Sequence, residues 1–295
     1  MASTTTPEST AASTAIDRPI RPAAAAGRAA FGALLLRDMQ VLRKTLKEFL
    51  PRTILQPFLL VFVFLYVFPT IGQGVGGGAG AAGESRFATI LVAGVVGLVI
   101  MFQGIQAVAM PLVSEIGFTR EIEDRVLAPL PISFVAVEKV VSGAVQGLIA
   151  AIIVFPIAAV VHAKGIHVHL AVHWLVLLTL IPLVCLMCSS LGLMFGTFFD
   201  PRTVPMMFGV VVLPMTFLGG TYYAWTTLAP VKFGGWSWLQ TLVLLNPLVY
   251  VTEGFRAALT NTHHMHLYVI YPVLLVAGSF FLNRGIAGFK KRTIS

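Results

Sequence analysis

The sequence predicts an all-α polytopic membrane protein with six transmembrane helices, an N-terminal amphipathic interfacial helix, a cytoplasmic helix between spans 2 and 3, and a re-entrant outer segment between spans 5 and 6. Three observations predict this class. The chain is 57% hydrophobic and 11% charged, whereas ordinary soluble domains have about 45–50% apolar and about 25% charged residues. Long charge-free runs recur, and about 20 apolar residues suffice to cross a hydrocarbon core of ~30 Å. Lys and Arg cluster between alternate runs.

The N-terminal region divides into two segments. Residues 1–27 are rich in Ser, Thr, Ala and Pro, which predicts a disordered cytoplasmic tail with no signal peptide. Residues 28–50 place apolar side chains at helical spacing among basic ones, as expected of an amphipathic helix lying on the inner membrane surface. The transmembrane domain then occupies residues 51–292.

Six charge-free runs are long enough to span the membrane. The predicted spans cover about residues 54–71, 88–111, 134–162, 172–198, 204–222 and 267–285. A further run, 233–252, has Gly-Gly near its start and Asn246-Pro247 inside it. Only about a dozen residues separate these breakers, which is too short for a span and favours a re-entrant or interfacial segment.

The distribution of basic residues fixes the predicted orientation. Six spans place both termini on one side, which then holds all but four of the 20 Lys and Arg residues. The four exceptions are Arg86, Lys164, Lys232 and Arg256. The positive-inside rule therefore predicts cytoplasmic termini. The net charge of +8 follows from this topology, so nucleic acid is not an expected partner.

One predicted inner loop is long enough to fold locally. It reads "SEIGFTREIEDRVLAPLP" from Ser114 to Pro131, and six of its residues are charged. Ser114 is a candidate N-cap, Glu115 lies in the predicted first turn, and Pro129 ends the pattern. A short amphipathic helix of mixed charge is suited to binding a cytoplasmic partner. The alternative is a solvated helix that only connects two spans.

Polar residues within the apolar runs are further candidates. Gln103 and Gln106 share one helical face, where amides either bond to neighbouring helices or contact cargo. Glu253 and Arg256 lie one turn apart and can neutralise each other at membrane depth, the alternative being a gate at the outer exit. All seven histidines fall in or beside predicted outer loops. This permits a metal or pH-sensing site, but we expect plain polar loop residues, with no metal ligand and no catalytic residue.

Four stretches resemble the membrane subunits of ABC-2 type exporters, which move drugs, lipid-linked polysaccharides or lipo-oligosaccharides. They are "LPRTILQPFLLVFVFLYVF", "REIEDRVLAPLPISFVAVEKVVSG", "LGLMFGTFFDPRTVPMMFGVVVLPMTFLGGTYYAWTTL" and "LNPLVYVTEGFRAAL". Their order and spacing match from about residue 30 to the C-terminus. The resemblance implies a multi-pass protein of the bacterial inner membrane.

The resemblance also implies partners. The N-terminal helix and a coupling helix at Glu115–Leu127 would contact an ABC ATPase, present in two copies that bind ATP and Mg. The residues expected at this contact are Arg37, Arg43, Lys44, Glu115, Thr119, Arg120, Glu121, Asp124 and Arg125. A second permease copy, identical or related, completes the complex. This chain has no G-x-x-x-x-G-K-[ST] loop, so we expect that it is not itself an ATPase and binds no cofactor.

By resemblance, cargo passes between two permease copies along the second and fifth spans. The residues expected on this path are Gln103, Gln106, Met206, Met207, Val210, Phe217, Tyr222 and Tyr223, with Glu253 and Arg256 at the outer gate. The expected function is ATP-driven export of a lipid-like, glycolipid, polysaccharide or amphipathic drug substrate. The alternatives are an outward-facing membrane enzyme and a proton-coupled carrier. The sequence has no nucleophile motif that would support an enzyme. Apart from Glu253, it has no acidic residue in mid-span that would support a proton-coupled carrier.

Overall fold

The computed structural model of the chain describes residues 23–71, 80–117, 130–160, 168–200, 203–233 and 235–294. Across these ranges the regular structure is helical without a β-strand, apart from an isolated bridge between Phe233 and Trp236. The predicted all-α class is confirmed.

Nine helices can be followed through the described ranges. They are α1 (Ala23–Lys44), α2 (Leu46–Phe62, continued by a π-helical turn at Val63–Val67 and a last turn at Phe68–Thr70), α3 (Gly80–Gly117), α4 (Ile132–Val160), α5 (Trp174–Phe198), α6 (Val204–Met207, a π-helical turn at Phe208–Val212, and Leu213–Leu218), α7 (Trp238–Val243), α8 (Pro247–Leu259) and α9 (Leu267–Ile294).

Five of these helices are long and apolar enough to cross a membrane. They cover Leu46–Thr70, Ala82–Gly117, Ile132–Ile157, Trp174–Phe198 and Leu267–Thr293. The chain is therefore a multi-pass membrane protein, as predicted. The predicted fifth span corresponds to α6, whose apolar stretch Phe208–Leu218 is shorter than the ~20 residues of a typical span. The count of six spans stays a prediction.

Two helices contain a widened π-helical turn, and each of these turns is followed by a proline. The turn in α2 precedes Pro69, and the turn in α6 precedes Pro214. Proline has no backbone N–H, and its ring collides with the carbonyl four residues earlier. An extra residue in the preceding turn moves that carbonyl away, so both helices continue past the proline.

Helix α3 is the central helix of the molecule. Inside the structure, 83% of its most apolar window is buried, against 17% for α9. Its contact with α5 is close because both helices carry glycine. A Cβ at Gly104 would lie 2.8 Å from the Cβ of Cys188, and one at Gly192 would lie 2.7 Å from the carbonyl oxygen of Ile105. Small residues let membrane helices approach this closely. The close contact holds the part of α3 that carries Gln103 firmly against α5.

Two helix boundaries differ from those that the sequence predicts. Helix α1 ends at Lys44, and α2 starts at Leu46, within the segment expected to be one interfacial helix. Helix α3 continues through Ser114 to Gly117, so the prediction that a new helix starts at Ser114 is wrong. Nothing between Pro111 and Gly117 removes a backbone donor or favours a break, and Gly117 is the first residue typical of a helix end. The rest of the predicted coupling helix lies outside the described residues.

The predicted re-entrant segment contains two short helices, α7 and α8, joined by a turn at Leu244 and Leu245. Asn246 caps α8: its Oδ1 accepts a hydrogen bond from the Leu248 N–H (3.0 Å), and its Nδ2 donates to the Met215 carbonyl (2.7 Å). All residues of α8 from Leu248 to Leu259 are buried. Its re-entrant character stays a prediction.

Candidate functional site: a polar groove at one end of the helix bundle and a buried ion pair at the other

An ion cluster joins three helices at one end of the bundle. Lys139 of α4 places its Nζ 2.6 Å from Oε1 of Glu115 in α3 and 3.4 Å from Oδ2 of Asp38 in α1. The Lys139 side chain is only 4% exposed. Helix α3 ends at Gly117 and α4 begins at Ile132, so the Lys139 cluster connects both ends of the intervening loop to α1.

The residues predicted to contact an ATPase are only partly within the described ranges. Arg37 is exposed and has interactions within the chain, while Arg43 and Lys44 are exposed at the end of α1. Glu115 is buried, and its carboxylate is bound to Lys139. Thr119, Arg120, Glu121, Asp124 and Arg125 lie outside the described residues. The ATPase contact stays a prediction.

A polar groove runs from this cluster between α1–α2 on one side and α3 and α4 on the other. It consists of three cavities that share lining residues: about 400 Å³ beside Lys139, about 260 Å³ beside Gln106, and about 60 Å³ beside Leu98. Gln146 borders the first and second cavities, and Gln103 borders the second and third. The three neighbouring cavities are together called the polar groove below.

Gln103 and Gln106, both predicted on the substrate path, line this groove together. Gln103 also donates a hydrogen bond from Nε2 to Oγ1 of Thr53 in α2, which is one of the two roles that the sequence left open. Gln146 and Thr53 were missed by the sequence analysis. Gln146 could have been identified as a candidate from the sequence, because it is the lone amide side chain in the charge-free run that forms most of α4.

The predicted path residues of α6 and beyond lie elsewhere. Met206, Val210 and Phe217 are exposed on α6, but Met207 is 3% exposed and packs into the core. The Tyr222 ring lies against those of Phe64 and Phe217, with centroid distances of 5.6 and 6.0 Å, and the Tyr223 hydroxyl donates to the Phe217 carbonyl at 3.2 Å. None of these residues lines the cavities of the polar groove, so within one copy of the chain the two halves of the predicted path are separate.

The pair that the sequence places on one face of α8 is an ion pair. Arg256 Nη1 donates to Glu253 Oε1 at 2.7 Å, and both side chains are fully buried. Glu253 also accepts hydrogen bonds from the backbone N–H of Trp225 (2.8 Å) and of Met265 (2.9 Å), while Arg256 Nη2 donates to the Gly220 carbonyl. Gly220 has φ +69°, a conformation that favours glycine. The Glu253–Arg256 pair thus fixes the loops before α7 and after α8; its role as a gate stays a prediction.

The described residues contain no group of three or more His, Cys, Asp or Glu residues arranged to hold a metal ion. Cys185 and Cys188 are buried and free in α5. They behave as small apolar side chains against α3.

Comparison with known proteins identifies a family whose model matches most of the chain, and several curated relatives. The model of the family described as ABC-2 type transporter matches residues 29–260. Curated relatives include the inner membrane transport permease YadH of Escherichia coli strain K12 and the protein of the same name in Shigella flexneri. Each is 31% identical over 163 residues, which are 54% of this chain and 58% of the relative. The chain thus aligns with little more than half the length of these relatives. Because the family model covers well over half of the chain, the protein belongs to the ABC-2 type transporter family.

Proposed function

We propose that this chain is the transmembrane subunit of an ATP-driven ABC exporter in the bacterial inner membrane. ATP and Mg would be bound by a separate ATPase, present in two copies, and a second permease copy would complete the pathway. Family membership supports a permease role, and the relatives are described as inner membrane transport permeases. The positive-inside pattern supports cytoplasmic termini.

The observation that carries this proposal is the Lys139 cluster. The proposed ATPase would push on the loop between α3 and α4 and thereby act on two helix ends. Lys139 joins those two ends to each other and to α1. In a low-dielectric interior, such contacts are stronger than at a hydrated surface. A displacement of the loop would therefore reach all three helices through this cluster and pass into the membrane.

The cargo is proposed to be lipid-like, glycolipid-like or an amphipathic drug. Two surfaces support this class: the polar groove, and the exposed apolar face of α6 that carries Met206, Val210 and Phe217. In a dimer, such a face would meet the partner copy or the moving cargo.

The first test is a mild-detergent pull-down of the tagged chain from its native membranes, followed by mass spectrometry. We expect co-purification of a soluble chain that carries a P-loop. A single permease species would indicate a homodimer, and two species would indicate a heterodimer. Recovery of the intact chain with no ATPase under several detergents would overturn the proposal.

A second test concerns the loop. Combined Glu121→Ala and Arg125→Ala substitutions should abolish coupling between ATP hydrolysis and transport while leaving insertion of the chain unchanged. Lys290→Ala, which removes an exposed charge near the C-terminus, is the matched control. Unchanged transport in the double variant would contradict the assigned role of this loop.

A further inference from the structure

Helix α1 packs against the bundle with one of its sides. On that side Leu42 is buried, and Asp38, one turn earlier, contacts Lys139 of α4. Two large apolar side chains of α1 lie outside this contact, because Leu36 is 64% exposed and Val41 is 51% exposed. An environment that is at least partly apolar would stabilise both of them relative to water.

The junction of α1 and α2 carries an excess of positive charge. Arg43, Lys44 and Lys47, together called the basic corner below, are all exposed. Within the described stretch 23–50, Glu48 is the one exposed acidic residue, since Asp38 is mostly buried and bound to Lys139. Three cations against one carboxylate leave a net positive charge at this surface, which favours an anionic partner.

The position of the basic corner in the chain indicates its depth in the membrane. The first membrane-length helix starts at Leu46, between Lys44 and Lys47, and has 25 residues. At 1.5 Å per residue it is about 37 Å long, whereas the hydrocarbon core is ~30 Å thick. Its first residues therefore extend past the core into the head-group layer, and Arg43 and Lys44 lie within one helical turn of them.

Apolar and basic side chains alternate at the basic corner. Val41 precedes it and Leu46 lies inside it, and both are exposed. The Thr45 hydroxyl donates to the Val41 carbonyl at 3.0 Å, which ties the junction to the last turn of α1. An anionic phospholipid matches both kinds of side chain, since its phosphate attracts cations and its acyl chains cover apolar groups. At head-group depth, phospholipid is also the surrounding solvent.

We infer that the basic corner is a binding surface for anionic phospholipid, whose phosphate lies against Arg43, Lys44 and Lys47 while its acyl chains cover Val41 and Leu46. This goes beyond the proposed export function and does not require an ATPase. It assigns Arg43 and Lys44, which were expected at the ATPase contact, to the lipid instead. Each Lys or Arg beside an anionic membrane surface strengthens such binding by about fivefold.

The test uses the full chain in nanodiscs of phosphatidylcholine that contain a small fraction of photoreactive lipid. Three probes carry the same diazirine near the glycerol end of an acyl chain, and their head groups are phosphatidylglycerol, phosphatidylcholine and the cationic trimethylammonium propane. Cross-linked peptides are mapped by mass spectrometry. We expect saturable labelling of the basic corner by the phosphatidylglycerol probe, competed by unlabelled phosphatidylglycerol, and weaker labelling by the other two probes. Soluble glycerol phosphate should not compete, because it has no acyl chain to cover Val41 and Leu46.

Paired variants sharpen the result. Arg43→Gln combined with Lys44→Gln should lower labelling by the phosphatidylglycerol probe roughly 25-fold, about fivefold for each charge. Lys290→Gln combined with Lys291→Gln removes two exposed cations near the end of α9 and should leave labelling of the basic corner unchanged. Arg43→Glu combined with Lys44→Glu should raise labelling by the cationic probe above the wild-type value, a gain that loss of folding does not produce.

Each contrary outcome is distinct. Equal labelling by the phosphatidylglycerol and phosphatidylcholine probes would overturn the choice of an anionic ligand, and competition by glycerol phosphate would assign the basic corner to free anions instead of the membrane. If the paired glutamine variant loses an ATPase in the pull-down while lipid labelling is unchanged, the basic corner is a protein contact and this inference fails. If the wild-type chain recovers no ATPase but is labelled as expected, the export function fails and the lipid-binding surface stands.

Discussion

The Lys139 cluster and the Glu253–Arg256 pair are built differently. On the predicted inner side, Lys139 contacts two carboxylates through side chains alone, the three residues belong to three helices, and the polar groove begins beside them. On the predicted outer side, Glu253 and Arg256 belong to one helix and bind backbone groups of the flanking loops. The outer pair is sealed from solvent, with both side chains 0% exposed.

This difference separates a contact that can rearrange from one that cannot. Side chains shared between helices can exchange partners when the helices shift, especially beside a cavity of about 400 Å³. A carboxylate bound to two backbone N–H groups holds those loops in one place, and a buried charge that loses its partner is strongly unfavourable. The inner cluster is therefore suited to transmit motion, and the outer pair to provide a fixed frame.

The largest expected effect comes from breaking the outer pair. Arg256→Met leaves the Glu253 carboxylate buried without its cation and removes the bond to Gly220. The free energy of unfolding should fall by about 3–5 kcal/mol, measured by equilibrium unfolding in mixed micelles. Arg284→Met, which removes an exposed arginine from α9, is the control and should change little. If the two variants have equal stability, the outer pair is not the frame described above.

The next largest effect is expected at Lys139. Lys139→Met leaves two carboxylates facing each other without a cation, but water from the groove can reach them, so the loss should be about 2–3 kcal/mol. Lys139→Arg should restore most of it. A loss in Lys139→Met as large as that in Arg256→Met would contradict the distinction between an adaptable and a fixed cluster.

A smaller effect should follow from removing the cap of α8. Asn246→Ala deletes the hydrogen bond to the Leu248 N–H and the one to the Met215 carbonyl, so we expect a loss of about 1–2 kcal/mol. Thermal unfolding should show the change. Asn246→Ser keeps an oxygen that can cap α8 and loses only the bond to Met215, and it should therefore lie between wild type and Asn246→Ala.

The smallest effect is expected at Asp38. Its contact with Lys139 is longer, 3.4 Å, and its side chain is 13% exposed, so Asp38→Asn should lower stability by about 0–1 kcal/mol. Transport should respond more than stability, since the ionic contact between α1 and Lys139 is then lost. If neither stability nor transport changes, α1 has no part in transmitting motion.

The sequence was sufficient to predict a multi-pass membrane protein. Burying a charge in lipid is costly, so membrane-spanning segments are recognisable as charge-free runs. It also placed Glu253 near Arg256, since residues three apart are neighbours on one face of a helix. The sequence did not show the Lys139 cluster. Lys139 is 24 residues from Glu115 and 101 from Asp38, and helical periodicity reports neighbours within one helix only.

The length of α6 was misjudged for a related reason. Hydropathy counted residues 204–222 as one apolar run, but Pro214 and the Gly219-Gly220 pair lie within it. The structure ends the helix at Leu218, and Gly220 then turns the chain so that its carbonyl reaches Arg256. Apolar composition alone does not register a turn that a distant side chain stabilises.

The hydrogen bond from the Met265 N–H to Glu253 has a consequence for the order in which the protein is made. Glu253 is synthesised 12 residues before Met265. Its carboxylate can therefore join the loop before α7 to the loop after α8 only when α9 begins to be synthesised. Until then, Oε2 of Glu253 in α8 lacks the hydrogen bond that the Met265 N–H later donates. This end of the helix bundle therefore becomes rigid only when α9 begins to be synthesised.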